Sequence, residues 1–267
     1  RQSLPRGTCC GPSEFRFPLS LRRREMNFDI VYLGALALVG YFFWAWLQDY
    51  RQNVRTLAKI GDDQQPGTGA QDVATEHTLV QVRAELEEGT MPGATPVALS
   101  VVVIAVLVSL FILAVEVAGE YRLGVVDEQS EMNILFCFYS VLGAAFVEEL
   151  IFRGFLYVDK GSRAALIGSI IAVSFLFAIL HQHLWSFVPD EKLPLWQFYK
   201  CFQWELGSKP IFSTAILFVN SLWFYYVRFM SLNRYRSLIP CVAAHMASNL
   251  GVVLVKALQG KVILGLS

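Results

Sequence analysis

The stretch Phe146-Val-Glu-Glu-Leu-Ile-Phe-Arg-Gly-Phe-Leu156 sets two adjacent carboxylates and an arginine inside a long apolar run. On a translocon-type scale each charge at mid-bilayer costs roughly 2.5 to 3.5 kcal/mol, so Glu148, Glu149 and Arg153 together oppose insertion by about 8 to 10 kcal/mol. Apolar neighbours worth about 0.3 to 0.6 kcal/mol each only roughly offset that. If this segment crosses a membrane, its charges must face the interior of a bundle or a wet cavity.

The remainder of the chain supports a membrane setting. Of its 267 residues 55 % are hydrophobic and only 16 % charged, against about 25 % charged in soluble domains. Uncharged runs extend over Ile30–Leu47, Val97–Val115, Ala164–Leu180, Pro210–Val227 and Ser237–Val255, each near the ~20 residues that span ~30 Å of hydrocarbon. With Asn133–Val158 as a sixth, the reading is an all-α, polytopic transmembrane bundle of about six spanning helices. The expected location is a cell membrane, a bacterial inner membrane, with the bilayer itself as a partner.

Basic and acidic residues balance at 22 each, so no long-range field points to nucleic acid. The five cysteines, Cys9, Cys10, Cys137, Cys201 and Cys241, are odd in number and fit neither a disulfide framework nor a zinc-finger spacing; they read as packing residues. Residues 1–25 hold six arginines and no apolar run. They are read as an N-terminal extension in doubt as part of the natural protein, with Met26 as the expected start. Residues 26–132 then hold two membrane helices joined by a polar loop, 49–95; residues 133–258 form the catalytic bundle, and 259–267 a tail. Lysines and arginines near the helix ends favour an outside N-terminus when counted from Met26, and the reverse when the upstream arginines are included. Within the loop, Leu79, Val82 and Leu86 predict a short surface helix. Leu195, Phe198, Phe202 and Leu206 predict another, lying in the headgroup layer.

Helical geometry separates the two glutamates. Glu149 and Arg153 stand four apart with the acid first, the favourable order for an ion pair. Glu148 is rotated ~100° away and has no basic residue at i+3 or i+4. The plain reading is a structural ion pair beside an idle acid; the functional one keeps Glu148 as a base. In "FLFAILHQHL", Phe177 and His181 share a face, whereas His181 and His183 face one site only if the helix has ended between them. In "CVAAHMASNL", His245 and Asn249 are again four apart. A lone membrane histidine or asparagine is usually interhelical glue, but two such pairs beside a diglutamate suggest a site.

"EELIFR", "FAILH" and "HMASN" resemble, in order and spacing, the EExxxR, FxxxH and HxxxN motifs of the CPBP intramembrane proteases, the family of CAAX prenyl endopeptidases and Abi-type bacterial proteins. The resemblance covers roughly residues 133–258. It implies an intramembrane endopeptidase that hydrolyses a peptide bond in a membrane-anchored protein or peptide, in CAAX-type or protein-sorting and maturation cleavage, without a cofactor. Carried over by position, it implies that Glu148 and His181 activate water, Glu149 and Arg153 shape the site, and His245 with Asn249 form the oxyanion hole. Large aromatics in "ILFVNSLWFYYVRF" stand where the family often has small residues. Counted at ~1.5 Å per residue, Glu148 lies ~15 Å from the Val158 end of its helix and His181 ~25 Å from the Ala164 end of the next. Bringing them together therefore requires tilt or a shifted helix start.

Three other readings stay open. Glu148, His181 and His245 are residue types that bind catalytic zinc, though no HExxH helix is present. A non-catalytic membrane scaffold or immunity factor would keep the fold without turnover. A transporter would need inverted repeats, and none is visible. Substrate identity and oligomeric state are not encoded in any motif here.

Overall fold

The computed structural model describes residues 28–63, 76–159, 161–190 and 192–263. Residues 1–25, with Cys9 and Cys10, lie outside the described residues. Seven helices carry the described chain: α1 (Phe28–Asp63), α2 (Glu76–Glu87), α3 (Leu99–Leu123), α4 (Ile134–Phe155), α5 (Arg163–Leu180), α6 (Ser208–Phe229) and α7 (Ile239–Leu258). All but α2 are long and apolar enough to cross a membrane. The protein is an integral, multi-pass helical membrane protein.

Lipid-facing and inward-facing residues alternate with helical period. On α3, Val101, Ala105, Ser109 and Leu113 are buried at every fourth position, while Leu99, Val103, Leu107 and Phe111 are exposed, as a spanning helix requires when one side meets protein and the other acyl chains. The buried stripe packs along α7 and α6; α5 lies on α6, and α4 sits against α1 and α7. Phe146 and Leu150 of α4, Phe224 and Val227 of α6, and Cys241 and Ala244 of α7 form the shared core.

The helix carrying the charged motif is not a regular α-helix. It widens into π-turns over Tyr139–Ala144 and Glu149–Phe155, on both sides of Glu148, and the amide of Leu156 donates back to the Ile151 carbonyl five residues earlier, at 3.0 Å. Such widened turns favour functional sites, because they re-aim side chains and loosen the backbone ladder. Tyr225 covers the loosened end, its hydroxyl lying 2.5 Å from the Phe152 carbonyl and 2.7 Å from that of Leu156.

Two expectations about the polar segments are corrected. The first membrane helix does not stop near Leu47: α1 runs 36 residues to Asp63, about 54 Å at ~1.5 Å per residue. Its polar end is held by tertiary bonds, with Trp46 Nε1 donating to the Pro92 carbonyl, Met91 N to Asp49 Oδ2 and Asn53 Nδ2 to the Ala94 carbonyl. The headgroup helix at 195–206 is a 3-10 run, Leu195–Cys201, followed by strand β3 (Phe202–Trp204). That strand pairs antiparallel with β2 (Trp185–Phe187), and the aromatic contacts Trp185–Phe202 and Phe187–Phe202, at 5.3 and 5.2 Å, explain why pairing wins over the helical pattern. At the opposite end of α4, β1 (Met132–Asn133) pairs parallel with β4 (Val262–Ile263), tying the start of α4 to the end of α7. The predicted short helix in the first loop is α2, with Leu86 buried. Cys137, Cys201 and Cys241 are buried free thiols.

Candidate active site

Glu149 and Arg153 are both fully buried, and Arg153 Nη1 donates to Glu149 Oε1 at 3.1 Å. A buried pair of this kind is stabilised by each partner its remaining hydrogen-bonding groups find, and here Glu149 Oε2 and Arg153 Nε find none among the described residues. Arg153 Nη2 donates to Ser221 Oγ at 2.6 Å, and the guanidinium lies 4.4 Å from the ring centre of Phe177 and 5.1 Å from that of Phe224, a cation–π cage that offsets part of its desolvation. On the other side, His245 Nδ1 lies 2.8 Å from the same Glu149 oxygen. With Glu149 ionised against Arg153, that nitrogen is the donor. Phe224 stacks on the imidazole at 5.2 Å and 24°.

Glu148 is free of this chain, as its rotation on the helix predicts. Its Oε2 lies 3.9 Å from His181 Nε2 and 3.8 Å from His245 Nε2, beyond direct hydrogen bonding, and it has no hydrogen-bond partner among the described residues. The side chain as a whole is 28 % exposed, while Oε2 itself is buried in the wall of a cavity that Glu148 helps to line. His181 caps α5, and the following Gln182 has a positive φ of 58°. The helix has thus ended before His183, and both histidines line the same cavity. His181 Nδ1 is 2.8 Å from the Phe177 carbonyl. A carbonyl can only accept, so Nδ1 carries a proton, and the neutral form of the ring has its lone pair on Nε2, the nitrogen nearest Glu148.

The depth mismatch between Glu148 and His181 is closed by an offset in helix starts. The backbone amide of Val158 donates to Ser169 Oγ at 3.0 Å, so the end of the charged segment lies level with Ser169 rather than with Ala164. From Ser169 to His181 is twelve residues, about 18 Å of helix, and the 3.9 Å between His181 Nε2 and Glu148 Oε2 shows the two side chains at one level.

Asn249 lines the same cavity, and its Nδ2 donates to the Ser140 carbonyl at 2.8 Å. One of its two amide hydrogens is therefore committed to the widened turn of α4. The cavity, about 630 Å³, extends from Glu148, His181 and His245 past Asn249 and Asn220, within the size range of ligand sites. Ser221, Asn220 and Phe224 were not anticipated. The sequence signal was the Asn-Ser pair inside the apolar run of α6, a pattern that marks interhelical polar contacts.

As a metal site the three convergent atoms are loose. Ligands at 2.0 to 2.1 Å around tetrahedral zinc would lie about 3.3 Å from one another, closer than the 3.8 and 3.9 Å seen here. Among the described residues no group of three His, Cys, Asp or Glu side chains is placed to hold a metal ion.

Residues 130–251 match the sequence model of the family described as type II CAAX prenyl endopeptidase Rce1-like. This segment belongs to that family. It contains all three motifs and every candidate site residue, and the match supports a membrane protease, a hydrolase of the CAAX endopeptidase type. No curated protein and no solved structure matches the chain.

Proposed function

We propose that the protein is an intramembrane endopeptidase of the glutamate type, in which Glu148 activates water for attack on a peptide bond of a membrane-anchored protein or peptide. The observation that carries this reading is the setting of Glu148 Oε2, unpartnered within the cavity and 3.8 to 3.9 Å from two imidazole nitrogens. A water between Glu148 and His181 meets two acceptors and is held with its lone pairs toward the substrate carbonyl.

Glu148 takes a proton as the water oxygen bonds to the carbonyl carbon, general-base help worth about 10² to 10⁴-fold. The developing oxyanion needs donors. Asn249 has one amide hydrogen left, while His245, whose Nδ1–H is given to Glu149, can donate from Nε2 only as the imidazolium. Glu149 orients that ring through Nδ1, the part an acid plays behind the histidine of a hydrolytic triad. Collapse of the tetrahedral intermediate breaks the C–N bond, and the proton first taken by Glu148 passes to the leaving amine. One carboxylic acid and one amine result, with no covalent enzyme intermediate. Arg153 holds Glu149 throughout and touches no reacting atom.

The substrate is proposed as a CAAX-type tail or another sorting or maturation site presented at the bilayer. Mass spectrometry of membrane-protein termini in cells carrying wild-type protein or Glu148→Gln tests this. Termini that accumulate uncut in the variant are expected, and identical termini in both would refute it. Sustained loss of cleavage in chelator, restored only by added metal, would instead favour zinc.

A further inference from the structure

The cavity holds more acid than the proposed hydrolysis uses. Its α3 wall carries Glu116 and Glu120, the segment after α3 adds Glu128 and Glu131, and Glu205 also lines it; Lys209 and Lys256, with His245 when it is an imidazolium, oppose this charge. Six carboxylates, with Glu148, thus line the cavity against two amines, in a chain whose formal net charge is zero. Low-dielectric walls lined by one sign of charge focus the field on whatever enters.

Glu116 differs from its neighbours. Glu120 accepts a hydrogen bond from Gln129, whereas Glu116, half-buried in a spanning helix, has no hydrogen-bond or ion-pair partner among the described residues. An ionisable group at that position is costly unless it is used. Its place along the cavity follows from packing. α3 and α7 run in the same direction, since each intervening helix reverses the chain, and the Leu113 side chain fills the space that a Cβ on Gly251 would take. Glu116, three residues further on, is level with residue 254, nine residues beyond His245. At ~1.5 Å per residue that is about 13 Å, the length of about four residues of extended peptide.

We propose that the cavity selects a peptide segment bearing a basic side chain, with Glu116 as its counter-charge, about four extended residues from the bond that is cut. The proposal rests on the protease reading of Glu148 and adds to it a class of substrate. The carboxylate would meet a lysine ammonium or arginine guanidinium in a charge-assisted hydrogen bond, and a glutamate at that substrate position would meet like charge.

The test uses the full chain in proteoliposomes and quenched fluorescent peptides that differ only by Lys, Ala or Glu at successive positions on either side of the cut. At one position about four residues away, kcat/KM should favour Lys over Glu by about tenfold or more, the effect of one hydrogen bond to a charged group. That ratio should collapse toward unity in Glu116→Gln and persist in Glu116→Asp. A flat profile, a preference for Glu, or a Lys preference untouched by Glu116→Gln would overturn the proposal. Fluorescence anisotropy of the same peptides on Glu148→Gln protein separates the two readings. If no peptide is cut by wild type, the protease reading fails. Lys-selective binding abolished by adding Glu116→Gln still upholds the charge selection, and equal binding of the Lys and Glu peptides overturns it.

Discussion

His245 donates from Nδ1 to Glu149 Oε1 at 2.8 Å while its Nε2 stands 3.8 Å from Glu148 Oε2, so a single imidazole links the buried ion pair to the unpartnered acid. The two adjacent glutamates thereby take opposite duties. One is consumed by structure, and the other faces the cavity.

Replacing Glu148 by Gln removes the base and keeps the shape. Cleavage should fall by about 10² to 10⁴-fold, and the thermal midpoint of the purified protein should stay close to that of wild type, because Glu148 Oε2 bonds to nothing that would be lost. A fall in activity accompanied by an equal loss of folded protein would assign Glu148 to structure.

Replacing Glu149 by Ala strands a fully buried guanidinium. Breaking such a pair from one side costs about 3 to 5 kcal/mol, which unfolding in mixed micelles would register. Arg153→Met, which removes the cation and leaves Glu149 free to take up a proton, should cost less. If both substitutions leave the unfolding midpoint unchanged, the pair is not what holds α4 to α6.

Asn249→Ala removes an amide that serves both the α4 turn and the proposed oxyanion hole. A drop in kcat of about 10² to 10³-fold with little change in KM is expected of a lost oxyanion donor. A rise in KM at constant kcat would reduce Asn249 to a contact that shapes the cavity.

Gly93→Ala tests the junction behind the site. Gly93 has φ +64°, and a Cβ there would come within 2.5 Å of Arg228 Nη1 and 2.6 Å of Leu238 Cγ. The strained backbone and the clash together should cost more than the ~1 kcal/mol usual when alanine is forced to positive φ, seen as a lowered thermal midpoint. Unchanged stability would mean that the loop at 91–95 can shift away from α7.

Much of this architecture is already legible in the order of residues. Uncharged runs near the length of a bilayer crossing mark five of the six spans, because hydrocarbon excludes charge over a fixed thickness. Four-residue spacing pairs Glu149 with Arg153 and leaves Glu148 alone, because that spacing is local to one helix. The polar reach of α1 and the β2–β3 pairing were hidden, since both depend on partners far along the chain: the 91–94 carbonyls and amide for α1, and Trp185 and Phe187 for the segment near Trp204.

The sequence by itself determined that three charges had to be sheltered within an apolar helix, and which acid would be left unpaired. Only the tertiary structure decided where that acid points. The bond from Val158 to Ser169 sets α5 so that His181 comes level with Glu148, and the packing of α7 on α4 and α6 brings His245 between the two carboxylates. Such levels depend on contacts between helices, which no periodicity within one helix encodes.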